Sequence, residues 1–259
     1  MHLTRHGRSR LAALLVVAVL ATGLGATASA ASSLPSCTVA DVLTKHRTLA
    51  DWPRSLLDYT YRLASTYAPG DLRSTADAGL NSGHSVRALV MADLRAMASA
   101  ARAAGARLAV QSAYRSYSTQ KATFESWVRL HGYAVALKES ARAGHSEHQL
   151  GTTLDFKSYG GSAPWDVTDW GTTKAGAWMR TNAWKYGFVM SYPKGKTSVT
   201  CYIYEPWHWR YVGRERAATI RASGLTLREF LWREQTTPAP TPTPTPKPFV
   251  PGGDTRGGG

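Results

Sequence analysis

Apolar positions in SVRALVMADLRAMASAARAAG recur at helical spacing: Val86, Leu89, Val90, Leu94 and Met97 share one face before Gly105 stops the run. That pattern predicts a helix between Ser85 and Gly105. In RLAVQSAY (Arg107 to Tyr114) the period shortens to two and β-branched and aromatic residues enter, which predicts a strand. TQKATFESWVRLHG returns to the helical period and is closed by Gly132. TTLDF (Thr152 to Phe156), GFVMSYP (Gly187 to Pro193) and TCYIYEP (Thr200 to Pro206) are three further strand candidates, with a helix over AGAWMRTNAWKYG between the first two. RERAATIRASG and LTLREFLWREQ read as short closing helices. Helices mixed with strands that include a hairpin-like pair predict the α+β class, a small antiparallel sheet with flanking helices.

The two ends break this periodicity. The start carries a basic patch (Arg5 to Arg10), an apolar run from Leu11 and the small-residue site Ala28-Ser29-Ala30, the order of a secretory signal peptide over residues 1–30. The apolar run fades into Thr22, Gly23, Gly25 and Thr27, short of the roughly 20 residues a membrane span needs. No later stretch is apolar enough to span, so the expectation is a secreted, extracytoplasmic protein without a transmembrane segment. From Thr236 the chain alternates Pro with Thr and then turns to Gly, the composition of an extended, unpacked tail over 236–259. No solenoid repeat interrupts the stretch between, which reads as one domain over 33–235, expected to be monomeric.

Composition narrows the class. The 259 residues are 43% hydrophobic and 19% charged, which excludes disorder throughout and a fibrous chain. A net charge of +14 suits a polyanionic surrounding: nucleic acid, anionic lipid or the acidic polymers of a cell wall. No finger, homeodomain or RNA-binding signature accompanies the charge, so no nucleic-acid partner is expected.

Candidate chemistry concentrates in two segments. GHSEHQLGTTLDF contains Ser146, His148, Gly151 and Asp155, and YEPWHWRYVG contains Glu205, Trp207, His208, Arg210 and Tyr211. Two imidazoles and one carboxylate, from separate strand-like segments, form a three-ligand set that leaves zinc a fourth position for water. Glu205, three residues before His208, is close enough to serve as the base for that water without being a ligand. His145 is a rival ligand, but Gly144 and Gly151 argue against the regular helix that would align it with His148.

Together the two segments resemble the VanY-type D-alanyl-D-alanine carboxypeptidases, within the zinc peptidase group that includes the Hedgehog signalling domain. The family patterns S-x-H-x-x-G-x-x-x-D and E-x-W-H fall on Ser146 to Asp155 and on Glu205 to His208 with their spacings intact. The resemblance implies a Hedgehog/DD-peptidase-like fold, one Zn2+ per chain on His148, Asp155 and His208, and Glu205 as general base. It extends to SAYRSYSTQ, where Arg115 and Gln120 stand at substrate-contacting positions, to SYPKGK with Tyr192, and to LLDYTYRLASTYAPGDL near the N-terminus. Ser146 and Tyr192 offer hydroxyls to the peptide. Arg115, expected just past a strand, is suited to grip a carboxylate or an oxyanion through paired donors. Thr153 stands where the family often has Ala.

The implied activity is a zinc carboxypeptidase that removes a C-terminal D-amino acid from peptidoglycan stem peptides. An L,D-carboxypeptidase or an endopeptidase on the same fold is the alternative within enzymes, and a zinc-containing wall-binding module the alternative outside them. Glu205 beside a complete ligand set favours the enzyme. The only two cysteines, Cys37 and Cys201, are expected to be joined, because export places them in an oxidising compartment and their count is even.

Overall fold

The computed structural model describes residues 33–237; the expected signal peptide and the tail from residue 238 lie outside the described residues. Two short pairs come first: β1 (Val42–Leu43) runs parallel to β2 (Tyr61–Arg62), and β3 (Leu72–Ser74) antiparallel to β4 (Ser85–Arg87). Then follow α1 (Met91–Ala103), β5 (Leu108–Ser112), α2 (Tyr117–His131), α3 (Tyr133–Glu139), β6 (Thr153–Ser158), α4 (Lys174–Asn182), β7 (Phe188–Met190), α5 (Thr197–Thr200), β8 (His208–Tyr211), α6 (Arg214–Ser223) and α7 (Leu227–Thr236). β5, β6, β8 and β7 form, in that spatial order, a four-stranded antiparallel sheet. The class is α+β.

The sheet sorts its residues by alternation. Leu154 and Phe156 of β6, Trp209 and Tyr211 of β8 and Phe188 of β7 point into a core shared with Leu94 and Met97 of α1 and Met179 of α4. A second apolar cluster gathers Leu56, Val212, Ala217, Ile220, Leu227 and Leu231, so α6 and α7 contribute to a separate layer. Asp155, His208 and Arg210 therefore belong to the face that does not meet the first core, and all three are buried.

Two elements differ from the sequence expectation. Ser85–Arg87 is a strand and the helix starts only at Met91, after a 3-10 turn over Ala88–Val90. Arg87 explains the difference: its N–H donates to Gly151 O at 2.8 Å and its guanidinium to Asp71 at 2.9 Å, so tertiary partners outbid the local helical pattern. The strand expected over Thr200 to Pro206 is absent; Thr197–Thr200 is a short helix, Cys201 adopts φ 74, and the strand begins at His208. Cys201 is joined to Cys37 with Cα atoms 5.4 Å apart, and Pro206 has no N–H to give a ladder. α3 was not anticipated from the pattern either.

The Cys37–Cys201 bond closes a sequence separation of 164 residues. Chain entropy for such a loop corresponds to about 5 kcal/mol, an upper figure because unfolded chains retain structure. Replacing both cysteines by Ser should lower the denaturant midpoint and steepen the slope, because the unfolded chain without the bond exposes more surface, and thiol counting on denatured, non-reduced protein should find no free thiol in the parent chain.

Candidate active site

Strand register brings the first two candidate ligands together. In the β6–β8 ladder Thr152 O accepts from Tyr211 N and Trp207 O from Phe156 N, so Asp155 opposite His208 is a pair without its own hydrogen bonds. Such pairs hold their side chains closest. His148 arrives from elsewhere: it lies on a 3-10 turn, Glu147–Leu150, not on the strand-like segment expected. Ser146 Oγ caps that turn by accepting from His148 N, and Gly151 ends it at φ 72, where a Cβ would come within 2.9 Å of Arg87.

The three side chains converge. His148 Nε2 lies 3.2 Å from Asp155 Oδ2 and His208 Nδ1 lies 3.1 Å from Asp155 Oδ1, with the two rings nearly perpendicular at 84°. A tetrahedral ion with bonds of about 2.0–2.1 Å spaces its ligand atoms about 3.3 Å apart, so the set fits zinc. The donors are also uncommitted: His148 Nε2 and Asp155 Oδ1 are buried without a hydrogen-bond partner. Orphaned acceptors aimed at one point are what a cation would satisfy.

Each imidazole has one nitrogen facing an oxygen acceptor, which leaves the other for a metal. His148 Nδ1 meets Ala113 O at 2.6 Å and must donate to it, which leaves Nε2 as a lone pair. His208 Nε2 meets Glu147 Oε2 at 3.0 Å, which directs Nδ1 toward Asp155. Burial, with Arg115 nearby, pushes His148 down to about 4, so it is neutral. For His208 burial acts downward but is overcome by Asp155 and Glu147, and without a metal ion the ring is held protonated up to about 10.

Glu147, which the sequence reading passed over, organises the far side of the site. Its Oε1 accepts from Arg210 Nη1 at 2.9 Å and its Oε2 from Ser191 Oγ at 2.6 Å, in addition to His208. Arg210 is fully buried and also donates to Trp52 O. Burial alone would raise the Glu147 carboxyl, yet Arg210 and His208 hold it near 2. The available signal was a charged residue between two motif positions in a segment with no exposed turn.

Glu205 is buried, with Oε2 3.5 Å from His208 Nδ1, beside the ligand set and outside it. Burial raises its carboxyl to about 8, with Asp155 adding to the rise and His208 opposing it. A divalent cation on the neighbouring ligands would pull in the opposite direction.

Arg115 is held with its fork toward the site: Nε donates to Gln120 Oε1 and Nη1 to Ser112 Oγ, each at 2.8 Å, and Nη1 lies 3.7 Å from Asp155 Oδ2. Nη2 has no partner among the described residues. Gln120, expected at the substrate, is fully buried and instead fixes Arg115 while donating to Ala141 O. Ser146 and Tyr192 likewise have internal engagements: Ser146 is the turn cap, and the Tyr192 ring packs 4.7 Å from His208 and 4.8 Å from Tyr202. His145 is engaged at both nitrogens, by Asp58 O and Asp41, apart from the ligand set.

Residues 83–214 match the family model for VanY, the D-alanyl-D-alanine carboxypeptidases. YodJ of Bacillus subtilis, provisionally named a carboxypeptidase, is 38% identical over 182 residues, covering 68% of this chain and 66% of its own. Among solved structures, the LdcB LD-carboxypeptidase is 32% identical with a TM-score of 0.63, covering 76% of this chain and 95% of LdcB. A VanY D,D-pentapeptidase from a VanB-type resistance cassette, solved with Zn(II), is 29% identical with a TM-score of 0.59, covering 70% of this chain and 99% of that one. The chain spans between 35% and 66% of the length of the curated relatives it matches.

Proposed function

The chain belongs to the VanY D-alanyl-D-alanine carboxypeptidase family, and we propose that it is a secreted zinc carboxypeptidase that removes the C-terminal D-alanine of peptidoglycan stem peptides. The observation that carries this reading is the convergence of His148 Nε2, Asp155 and His208 Nδ1, with the other nitrogen of each imidazole held by an oxygen acceptor and Glu205 beside them. Zinc on these three groups would supply a Lewis acid for the scissile carbonyl and make water a better nucleophile at neutral pH.

The chain's own groups do the rest. Glu205 takes the proton from the attacking water and returns it to the leaving amine; beside a divalent cation on the neighbouring ligands its carboxylate would stay ionised and able to accept that proton. The free Nη2 of Arg115 faces the peptide's terminal carboxylate or the developing oxyanion, and Gln120 and Ser112 keep the guanidinium from turning away. Secretion is supported by the basic, apolar and small-residue order of residues 1–30.

The test is mass spectrometry of synthetic tetra- and pentapeptide stems after incubation with the zinc-loaded protein. Loss of one alanine from the pentapeptide is expected. Loss from the tetrapeptide alone would make the chain an L,D-carboxypeptidase, the activity named for LdcB, and no loss from either would overturn the enzyme reading. Elemental analysis should find about one zinc per chain, and the His148→Ala, His208→Ala double variant should lose it.

Arg115→Lys should not be conservative, because a point charge cannot hold Gln120 and Ser112 while presenting a second donor. Steady-state kinetics on the pentapeptide should show kcat/KM down by about tenfold or more, as for loss of a charge-assisted hydrogen bond. Equal efficiency would reduce Arg115 to general positive charge.

A further inference from the structure

β7 is an outer strand of the four-stranded sheet, and its far side is open at one end. Gly187 O accepts from Val212 N and Ser191 N donates to His208 O, so residues 187, 189 and 191 turn their main-chain groups toward β8. The alternation of an antiparallel ladder then sends the N–H and C=O of Phe188 and Met190 outward. No partner for them exists among the described residues. Phe188 is enclosed, whereas Val189 and Met190 are half-buried, so the edge is reachable at its Met190 end.

A groove of about 520 Å³ runs along this edge. Because side chains alternate along β7, Met190 lines it with Trp209 on one side of the sheet and Val189 with Trp184 and Ile220 on the other. Its rim is cationic, with Arg180, Lys194, Lys196 and Arg221. Lys194 meets Asp169, the lone carboxylate of the lining, at 3.2 Å; the other three have no carboxylate partner among the described residues. None of these residues belongs to the ligand set or to the groups that orient it.

Natural sheets usually blunt an open edge, and one flanked by apolar pockets is the geometry of strand addition. We propose that the β7 groove binds an extended acidic segment of a partner protein as an added strand. Met190 supplies the main-chain pair that sets its register, apolar side chains of the segment pack against Met190 on one side and against Val189, Trp184 and Ile220 on the other, and carboxylates meet Arg180, Lys196 and Arg221. Charge complementarity selects the partner's chemistry; a basic segment would meet four like charges.

The test uses the full chain and a fluorescein-labelled nonapeptide of alternating glutamate and valine, read by anisotropy, with its lysine–valine counterpart as control. Saturable binding of the acidic peptide is expected, with the basic one weaker by at least about tenfold. N-methylation of the acidic peptide, one residue at a time, should weaken binding about tenfold at the position whose amide pairs with Met190 and leave the neighbouring positions unaffected. The Lys196→Glu, Arg221→Glu double variant should lose the acidic peptide while remaining folded by circular dichroism; Arg221 also lies over the Trp184 ring, so Arg180→Glu alone, with weaker binding of the acidic peptide, separates charge from packing. Met190→Pro removes an outward N–H that β8 does not use and should weaken binding, and the methylated peptides give the same information should that variant not fold. Equal binding of both peptides, or indifference to methylation at every position, would overturn strand addition. Displacement of the peptide by a peptidoglycan stem pentapeptide at equal potency would overturn the protein partner and make the groove a second wall-peptide site.

Discussion

Glu205→Gln should keep its metal and its fold and lose about a hundredfold or more in turnover on a stem pentapeptide, the usual size of a general-base contribution. Glutamine preserves the shape of a buried side chain whose Oε2 sits 3.5 Å from His208 Nδ1, and removes only the ability to accept a proton. The ligand atoms of His148, Asp155 and His208 form a complete set without it. Metal content by elemental analysis and kcat by steady-state assay should therefore part company. If zinc is lost along with turnover, Glu205 is a ligand; if turnover persists, another group is the base.

The second large effect is expected at Glu147, which is not one of the three candidate ligands but holds one of them, His208, and neutralises Arg210. Glu147→Gln leaves a guanidinium with no solvent exposure beside an amide in place of its counter-ion. Breaking a buried pair from one side typically costs about 3–5 kcal/mol, so thermal or denaturant unfolding should show a loss of that order. Removing the acceptor from His208 Nε2 also frees the ring to change tautomer, and zinc affinity should fall by about 10- to 100-fold, as for other outer partners of metal-bound histidine. A Ser191→Ala variant, which removes one hydrogen bond and no charge, should be much milder in both measurements. Equal effects would mean that the hydrogen-bond network, and not the charge, carries the contribution of Glu147.

That His148, Asp155 and His208 come together, with Glu205 beside them, was legible because the signal is local in sequence: spacing within two short motifs names the four residues without reference to their surroundings. The sheet was legible where alternation and burial agree, as in β5, β6 and β7. It was not legible at Thr200 to Pro206, where β-prone Tyr and Ile residues follow a cysteine held in a left-handed conformation by a partner 164 positions away. Ser85–Arg87 was misread for the same reason, since Arg87 is recruited by Asp71 and Gly151. Gln120 and Ser146 were assigned outward roles because a motif says which residues matter and not which way they face. Glu147 escaped because a carboxylate between motif positions has no periodicity of its own; only its burial against Arg210 gives it meaning.

Asp155 and His208 face one another across the β6–β8 ladder, and a strand has a repeat of two. A slip of one residue would send Leu154 or Trp209 toward the candidate metal site and bury a carboxylate or imidazole in the apolar core, so the ladder itself tolerates no insertion. Residues 159–187, between β6 and β7, carry none of the groups placed at the site and no register with β8. They do supply Asp169, Thr172, Arg180 and Trp184 to the groove beside β7. A change of length at the exposed turn after β6 would therefore alter what the protein meets at its surface while leaving Asp155 opposite His208 and Glu205 beside them.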